Sequence, residues 1–151
     1  RTDLERQTGF RSAMADAGLP IPPEYIHTVP GGEARMGFEA MQHFLNLVLR
    51  PTAVFCFNDL MAIGALNACS RAGVDVPGQI SLAGFDNISY SEFTTPSITT
   101  FDQPKHAIGR EAAQLLLSLL DLGANELPQT QKVLILKGHL LIRNSTDRPK
   151  E

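Results

Sequence analysis

Residues 52–85 read TAVFCFNDLMAIGALNACSRAGVDVPGQISLAGF. The first six, Thr52 to Phe57, are a short continuous apolar run that fits a strand buried on both faces. Asn58 follows as a helix N-cap, and Asp59 places an acid in the first turn. The helix runs to about Arg71, with Gly73 in the position where a left-handed residue closes a helix. Gln79 to Phe85 is a second strand, apolar almost throughout. Strand, helix of about a dozen residues, and strand again make a βαβ unit. The fold class is therefore α/β, a parallel sheet with helices on both faces.

The same alternation extends outward. Upstream, Tyr25 to Val29 is a short strand candidate between the turn residues Pro20, Pro22 and Pro23 and the turn Pro30-Gly31-Gly32. A helix from about Glu33 to Leu47 then leads into Thr52. At the start, Leu4, Thr8, Phe10, Ala13, Met14 and Ala17 recur close to helical spacing, and Gly18 closes a helix spanning 3–17. Downstream, residues 86–97 are polar and read as an irregular loop before the strand Ile98 to Phe101. Pro104 suits the first turn of a long helix to about Leu122, with Leu115, Leu116, Leu119 and Leu120 on its apolar side and Gly123 after it. Two short apolar runs, Val133 to Leu136 and His139 to Ile142, flank Gly138. The polar tail, residues 144–151, is expected to fray. There are no internal repeats.

Composition bounds the rest. The chain has 151 residues, 43% hydrophobic and 19% charged, which are globular values. Thirteen Lys and Arg against sixteen Asp and Glu give a net charge of −3 with no basic stripe, which argues against direct nucleic-acid binding. No apolar run approaches the roughly 18 residues of a membrane span, and no signal-peptide core is present, so a soluble cytoplasmic protein is expected. Cys56 and Cys69 sit in apolar segments and read as small core residues, not as a disulfide or metal pair.

In an open parallel sheet, ligands bind outside the carboxyl ends of the strands. Asn58 stands after TAVFCF, and Asp86 with Asn87 after ISLAGF. An amide offers donors and an acceptor, and a carboxylate can take two adjacent hydroxyls or a ring N–H, a pair that suits a neutral polar small molecule. Each also has a local reading, Asn58 as a cap and Asp86 as a turn residue. Enzyme motifs are absent: no GxSxG elbow, no phosphate-binding GxxxxGK[ST], no HExxH and no CxxC. His27, His43, His106 and His139 are not at metal-ligand spacing, and Pro30-Gly31-Gly32 reads as a plain turn before it reads as a phosphate contact. The chain is expected to be no enzyme and to need no cofactor or metal.

Three segments, FNDLMAIGALNACSRAGVDVPGQISLAGFDN, SEFTTPSITTFDQPKHAIGREAAQLLL and GHLLIRNSTDRP, resemble the carboxyl-terminal part of the lactose-repressor (LacI/GalR) family of bacterial transcription regulators, and the similarity reaches back to RQTGFRSAMADAGL. The ND and GFD motifs are shared with periplasmic sugar-binding proteins, which remain the alternative. The run from Thr95-Pro96 to Gln103-Pro104 and the terminal LIRNST point to the regulators. The resemblance implies a partial type I periplasmic-binding-protein-like domain that binds a small-molecule effector, a sugar, nucleoside or purine-like compound, in a cleft between lobes. It assigns effector contacts to Arg6, Asn58, Asp86 and Gln103, with Asn87 departing from the commoner second Asp and Gly32 standing about where some members place an aromatic ring. It assigns homodimer contacts to Leu60, Met61, Gly64, Ala65 and Phe93, although Met61 and Ala65 could equally line the chain's own core.

The resemblance also implies a division of the chain. Residues 1–102 correspond to the carboxyl-terminal lobe, 103–136 to a segment of the amino-terminal lobe, and 137–151 to the return strand and tail, with crossings near 101–104 and 136–138. The expectation is a piece of a longer regulator whose operator-binding module and hinge helix lie outside these residues, so that operator DNA would be met only through that module. A helix from Pro104 whose leucines lack their own sheet is then expected to self-associate, misdock or be disordered.

Overall fold

The computed structural model describes residues 2–120 and 133–148. Four strands form one sheet: β1 (Ala53–Phe55), β2 (Ser81–Phe85), β3 (Thr99–Asp102) and β4 (His139–Leu141), in the order β1-β2-β3-β4. The first three are parallel, with Val54 opposite Leu82 and Ala83 opposite Thr99, and β4 returns antiparallel to β3 with Leu140 opposite Phe101. The helices are α1 (Thr2–Asp16), α2 (Ala34–Leu45), α3 (Asp59–Arg71) and α4 (Lys105–Leu120). The strand-helix-strand unit from β1 to β2 is as the sequence implies: Asn58 caps α3 through Met61 N at 2.9 Å, and Gly73 lies at φ 67°.

Alternation along the strands sorts the two faces of the sheet. Val54, Cys56 and Leu82 point to the side covered by α2 and α3, where Met41, Ala62 and Cys69 complete the core. Burying a side chain such as fully enclosed Leu82 contributes about 1.5–3 kcal/mol. Phe55 points to the other side and stacks on Phe10 of α1, with ring centroids 5.9 Å apart. The close approach of α2 to α3 requires two glycines. A Cβ on Gly64 would stand 1.8 Å from the Ala34 carbonyl oxygen, and one on Gly37 2.1 Å from that of Met61.

Several expectations give way. Tyr25 to Val29 is not a strand: Pro23–Tyr25 is a single 3-10 turn, and residues 26–29 run on without a sheet partner. Ile26 and Val29 line a cavity of about 640 Å³ together with Val54 and Phe55 of β1, and among the described residues no strand pairs with them. For the same reason β1 is an edge rather than a strand buried on both faces, and Phe55 is 39% exposed. Parallel pairing through Val54 turns the backbone groups of Ala53 and Phe55 toward the open side.

The carboxyl-terminal stretch differs in the opposite sense. Residues 144–148 do not fray but are sewn into the sheet. Ser145 is fully buried; its hydroxyl donates to Leu82 O at 2.6 Å and accepts from Thr99 N at 2.8 Å, while its carbonyl accepts from Leu82 N at 2.8 Å. Residues 149–151 of the tail lie outside the described residues, as do Leu122 and Gly123 at the expected end of α4. No residue of α4 is buried, and Leu116, Leu117 and Leu120 are exposed, as are Val133, Leu134 and Ile135.

Candidate functional site

The carboxyl ends of β1, β2 and β3 meet the first turns of α1 on the Phe55 side of the sheet. Arg6 lies there across two aromatic rings, its guanidinium carbon 3.9 Å from the centroid of Phe85 and 4.5 Å from that of Phe57. Its Nη1 donates to Phe57 O at 2.6 Å, and its Nη2 pairs with Asp86 Oδ1 at 3.2 Å. Gln103, two residues before α4, donates through Nε2 to the same Asp86 oxygen. Three of the four residues implied as effector contacts are thereby brought together. The side chains are 15% exposed for Arg6 and 30% for Asp86, so the pair sits partly shielded but open to a ligand.

The set keeps spare valence. Among the described residues, Arg6 spends two of its five N–H donors, Gln103 leaves one N–H and its carbonyl oxygen unspent, and Asp86 Oδ2 takes no hydrogen bond. A molecule with adjacent hydroxyls or a ring N–H can therefore be gripped by groups held 3.2 Å apart over an aromatic floor of Phe57, Phe85 and Phe101, the last two stacked at 4.9 Å.

Asn58 is not turned to this cluster. Its Oδ1 is taken by the cap on α3, and its Nδ2 donates to Gly32 O at 3.0 Å, tying the loop before α2 to the end of β1. Its local reading therefore accounts for both ends of the amide, with one N–H to spare. Gly32 brings no ring to the site, and a Cβ there would stand 2.7 Å from Asn58 Nδ2.

Among the residues assigned to a dimer contact, Met61, Gly64 and Ala65 are buried between α3 and α2 of this chain. The small Gly64 and Ala65 permit the close approach of α3 to α2 within the chain. Leu60 is 43% exposed and Phe93 80%, and these two remain available.

Several contacts of the site region escape the sequence reading. Asp59 is fully buried, its Oδ1 accepting from the Thr100 hydroxyl at 2.6 Å and its Oδ2 from Ile88 N at 2.8 Å. Gly84 makes room for it, since a Cβ there would lie 2.2 Å from Asp59 Oδ1. Asn87 spans two charges, donating from Nδ2 to Asp102 Oδ1 at 2.9 Å and accepting at Oδ1 from Arg143 Nη2 at 2.9 Å. The Asn87 side chain, aided by Lys105, holds the Asp102 carboxyl below its usual range. An aspartate at 87 would lose the donor to Asp102, which gives the departure from the common motif a structural reason.

The other reactive groups are accounted for by packing. Burial pushes the Cys56 thiol up to about 12 and Cys69 up to about 11, so neither is a thiolate at neutral pH. His27 and His43, far apart in sequence, stack with centroids 4.4 Å apart. Among the described residues no group of three or more His, Cys, Asp or Glu is placed to hold a metal, and no helix is long and apolar enough to cross a membrane.

Residues 1–146 match the family of periplasmic binding protein-like domains. Over 127 residues the chain is 41% identical to the HTH-type transcriptional repressor PurR of Actinobacillus pleuropneumoniae serotype 3, a match that covers 83% of this chain and 38% of that protein. Among solved structures, a putative LacI-family transcriptional regulator from Sanguibacter keddieii superposes with a TM-score of 0.85 at 33% identity, over 93% of this chain and 52% of that one. The transcriptional regulator CelR in complex with cellobiose superposes with a TM-score of 0.82 at 31% identity, over 94% of this chain and 42% of that one. The chain thus spans less than two fifths of the curated relative's length.

Proposed function

The chain belongs to the family of periplasmic binding protein-like domains, in the form carried by LacI-type regulators, and on that footing we propose that it forms part of the effector site of a ligand-responsive transcription regulator. The effector is a neutral polar molecule, a sugar or a nucleoside-like compound. The observation that supports this most directly is the convergence of Arg6, Asp86 and Gln103 at the carboxyl ends of three parallel strands, with donors and a carboxylate oxygen unspent. The relatives by sequence and structure include a protein named as a repressor and one solved with cellobiose, which fits a sugar-class ligand.

In this reading residues 1–102 form one wall of a cleft, the stretch 103–136 belongs to the opposite lobe, and 137–151 returns to the first. The unburied face of α4 supports that division, because a helix with no buried residue has its packing partner elsewhere. Gln103, at the crossing, reports on both lobes. Closure over the effector shifts the balance between two arrangements by no more than the effector's differential affinity for them. Leu60 and Phe93 supply contacts to a second copy, and operator DNA is met through another part of the protein, in the cytoplasm.

The test is calorimetric titration of the full-length protein with a panel of sugars and nucleosides. Replacing Asp86 by Ala removes a hydrogen bond to a charged acceptor and is expected to weaken the best ligand by about 1.5–3 kcal/mol. Affinity unchanged in the Asp86→Ala protein overturns the reading.

A further inference from the structure

Asp86 and Asn87 adopt φ angles of 104° and 48°, the only non-glycine residues with positive φ among the described residues. Two consecutive positions in this region are costly for L side chains, and such geometry persists where its surroundings enforce it. The surroundings are identifiable. Lys105, the first residue of α4, donates from Nζ to the carbonyl oxygen of Asp86, to that of Asn87 at 3.1 Å, and lies 3.5 Å from Asp102 Oδ1. From the other side Arg143, just past β4, holds the Asn87 side chain and also donates to Ser91 Oγ at 3.1 Å and Ile98 O at 3.0 Å. The turn is thus gripped by the segment leaving β3 and by the segment returning along it.

We infer that Lys105 is a positioning residue for the effector site: its ammonium gathers the two adjacent carbonyls of the left-handed turn and so sets where the Asp86 carboxylate points. This inference rests on the reading that Asp86 takes the effector, and it adds the device that carries that contact to α4. Adjacent carbonyls brought to one point repel through their negative ends, and a cation placed between them converts that repulsion into attraction. The backbone amides of the turn are pinned by other elements, Asp86 N to Phe101 O at 3.0 Å, Asn87 N to Thr100 Oγ1 at 3.2 Å and Ile88 N to Asp59. The carbonyl side rests on Lys105. A displacement of the start of α4 therefore moves the turn, and a ligand on Asp86 resists that displacement.

The experiment compares Lys105→Met with Lys105→Arg in the full-length protein by NMR, without ligand. For the Met variant we expect the three-bond couplings of Asp86 and Asn87 to leave their left-handed values and the amides of Asn87 and Ile88 to exchange about tenfold faster, with Ala83 in the middle of β2 unchanged. The Arg variant, still cationic, restores couplings and protection. Because Lys105 is more than half exposed, loss of its packing does not threaten folding, and equal melting points in the three proteins check this. Couplings and exchange unaltered in Lys105→Met, or altered equally in both variants, overturn the inference whatever the ligand titration returns. Unchanged affinity in Asp86→Ala fails the effector reading instead. Where both hold, Lys105→Met weakens the effector about tenfold and Lys105→Arg retains most of its affinity.

Discussion

The hydroxyl of Thr100 donates to the carboxylate of Asp59 at 2.6 Å, joining the middle of β3 to the first residue of α3 in a place closed to solvent. A buried carboxylate is tolerated where each oxygen finds a donor, and here Thr100 and Ile88 N supply one each. Replacing Thr100 by Val removes one of these, together with the weaker acceptor for Asn87 N at 3.2 Å, with almost no change of volume. The expected loss is about 1.5–3 kcal/mol of unfolding free energy, the usual range for a hydrogen bond to a charged group. Urea denaturation measures it, and a loss under 0.5 kcal/mol would mean the carboxylate finds water on its own, by the same scale.

Ser145 gives a second prediction, independent of the first. Ser145→Ala strands Thr99 N and deprives Leu82 O of the hydroxyl donor, both in the interior of the sheet. Leaving a buried donor without a partner costs about 1–3 kcal/mol. The same denaturation curve reads it, with an unaltered slope expected because the surface exposed on unfolding is unchanged.

Gly64→Ala separates a packing role from a contact between copies. A methyl group 1.8 Å from the Ala34 carbonyl oxygen cannot be accommodated without moving α2. Overpacking of this kind costs about 1–3 kcal/mol. The melting temperature should fall while the association constant between copies, read by sedimentation, changes only through folding. A protein as stable as the parent but weakened in self-association would return Gly64 to an outer surface.

Acid sensitivity follows from His27. Burial first, and the neighbouring His43 second, hold its pKa below the ordinary 6.5. The unfolded chain therefore binds the proton more readily, so the stability this histidine supplies is intact above about pH 6.5 and drains away as pH falls below it. Thermal midpoints measured from pH 7.5 to 5 should decline, and Phe at position 27, which keeps the stack on His43 without a titrating ring, should flatten the decline. An equal slope in both proteins assigns the acid sensitivity elsewhere.

The βαβ unit was legible because every signal within it agrees. TAVFCF is apolar without a break, Asn58 and Asp59 open a helix chemically, and Gly73 closes it. Arg6, Asp86 and Gln103 were reached through a resemblance of motif, and the geometry brings them into one cluster. What failed has physical causes too. Tyr25 to Val29 has strand-like residues, but pairing needs a second strand within about 5 Å, which no local pattern reveals. The tail from Asn144 is polar, which predicts fraying, whereas Ser145 is spent on backbone groups 46 and 63 residues away. Asp59 reads as a helix-opening acid, and its second duty to Thr100 depends on the register of a strand some forty residues later.

The outer margin of β1, with Ala53 and Phe55 offering amides and carbonyls that no described residue answers, behaves as half of a zipper. Any extended chain that drifts alongside can close it, and the same margin on an identical molecule would seal both at once. Handled alone, this polypeptide is therefore expected to keep best when dilute.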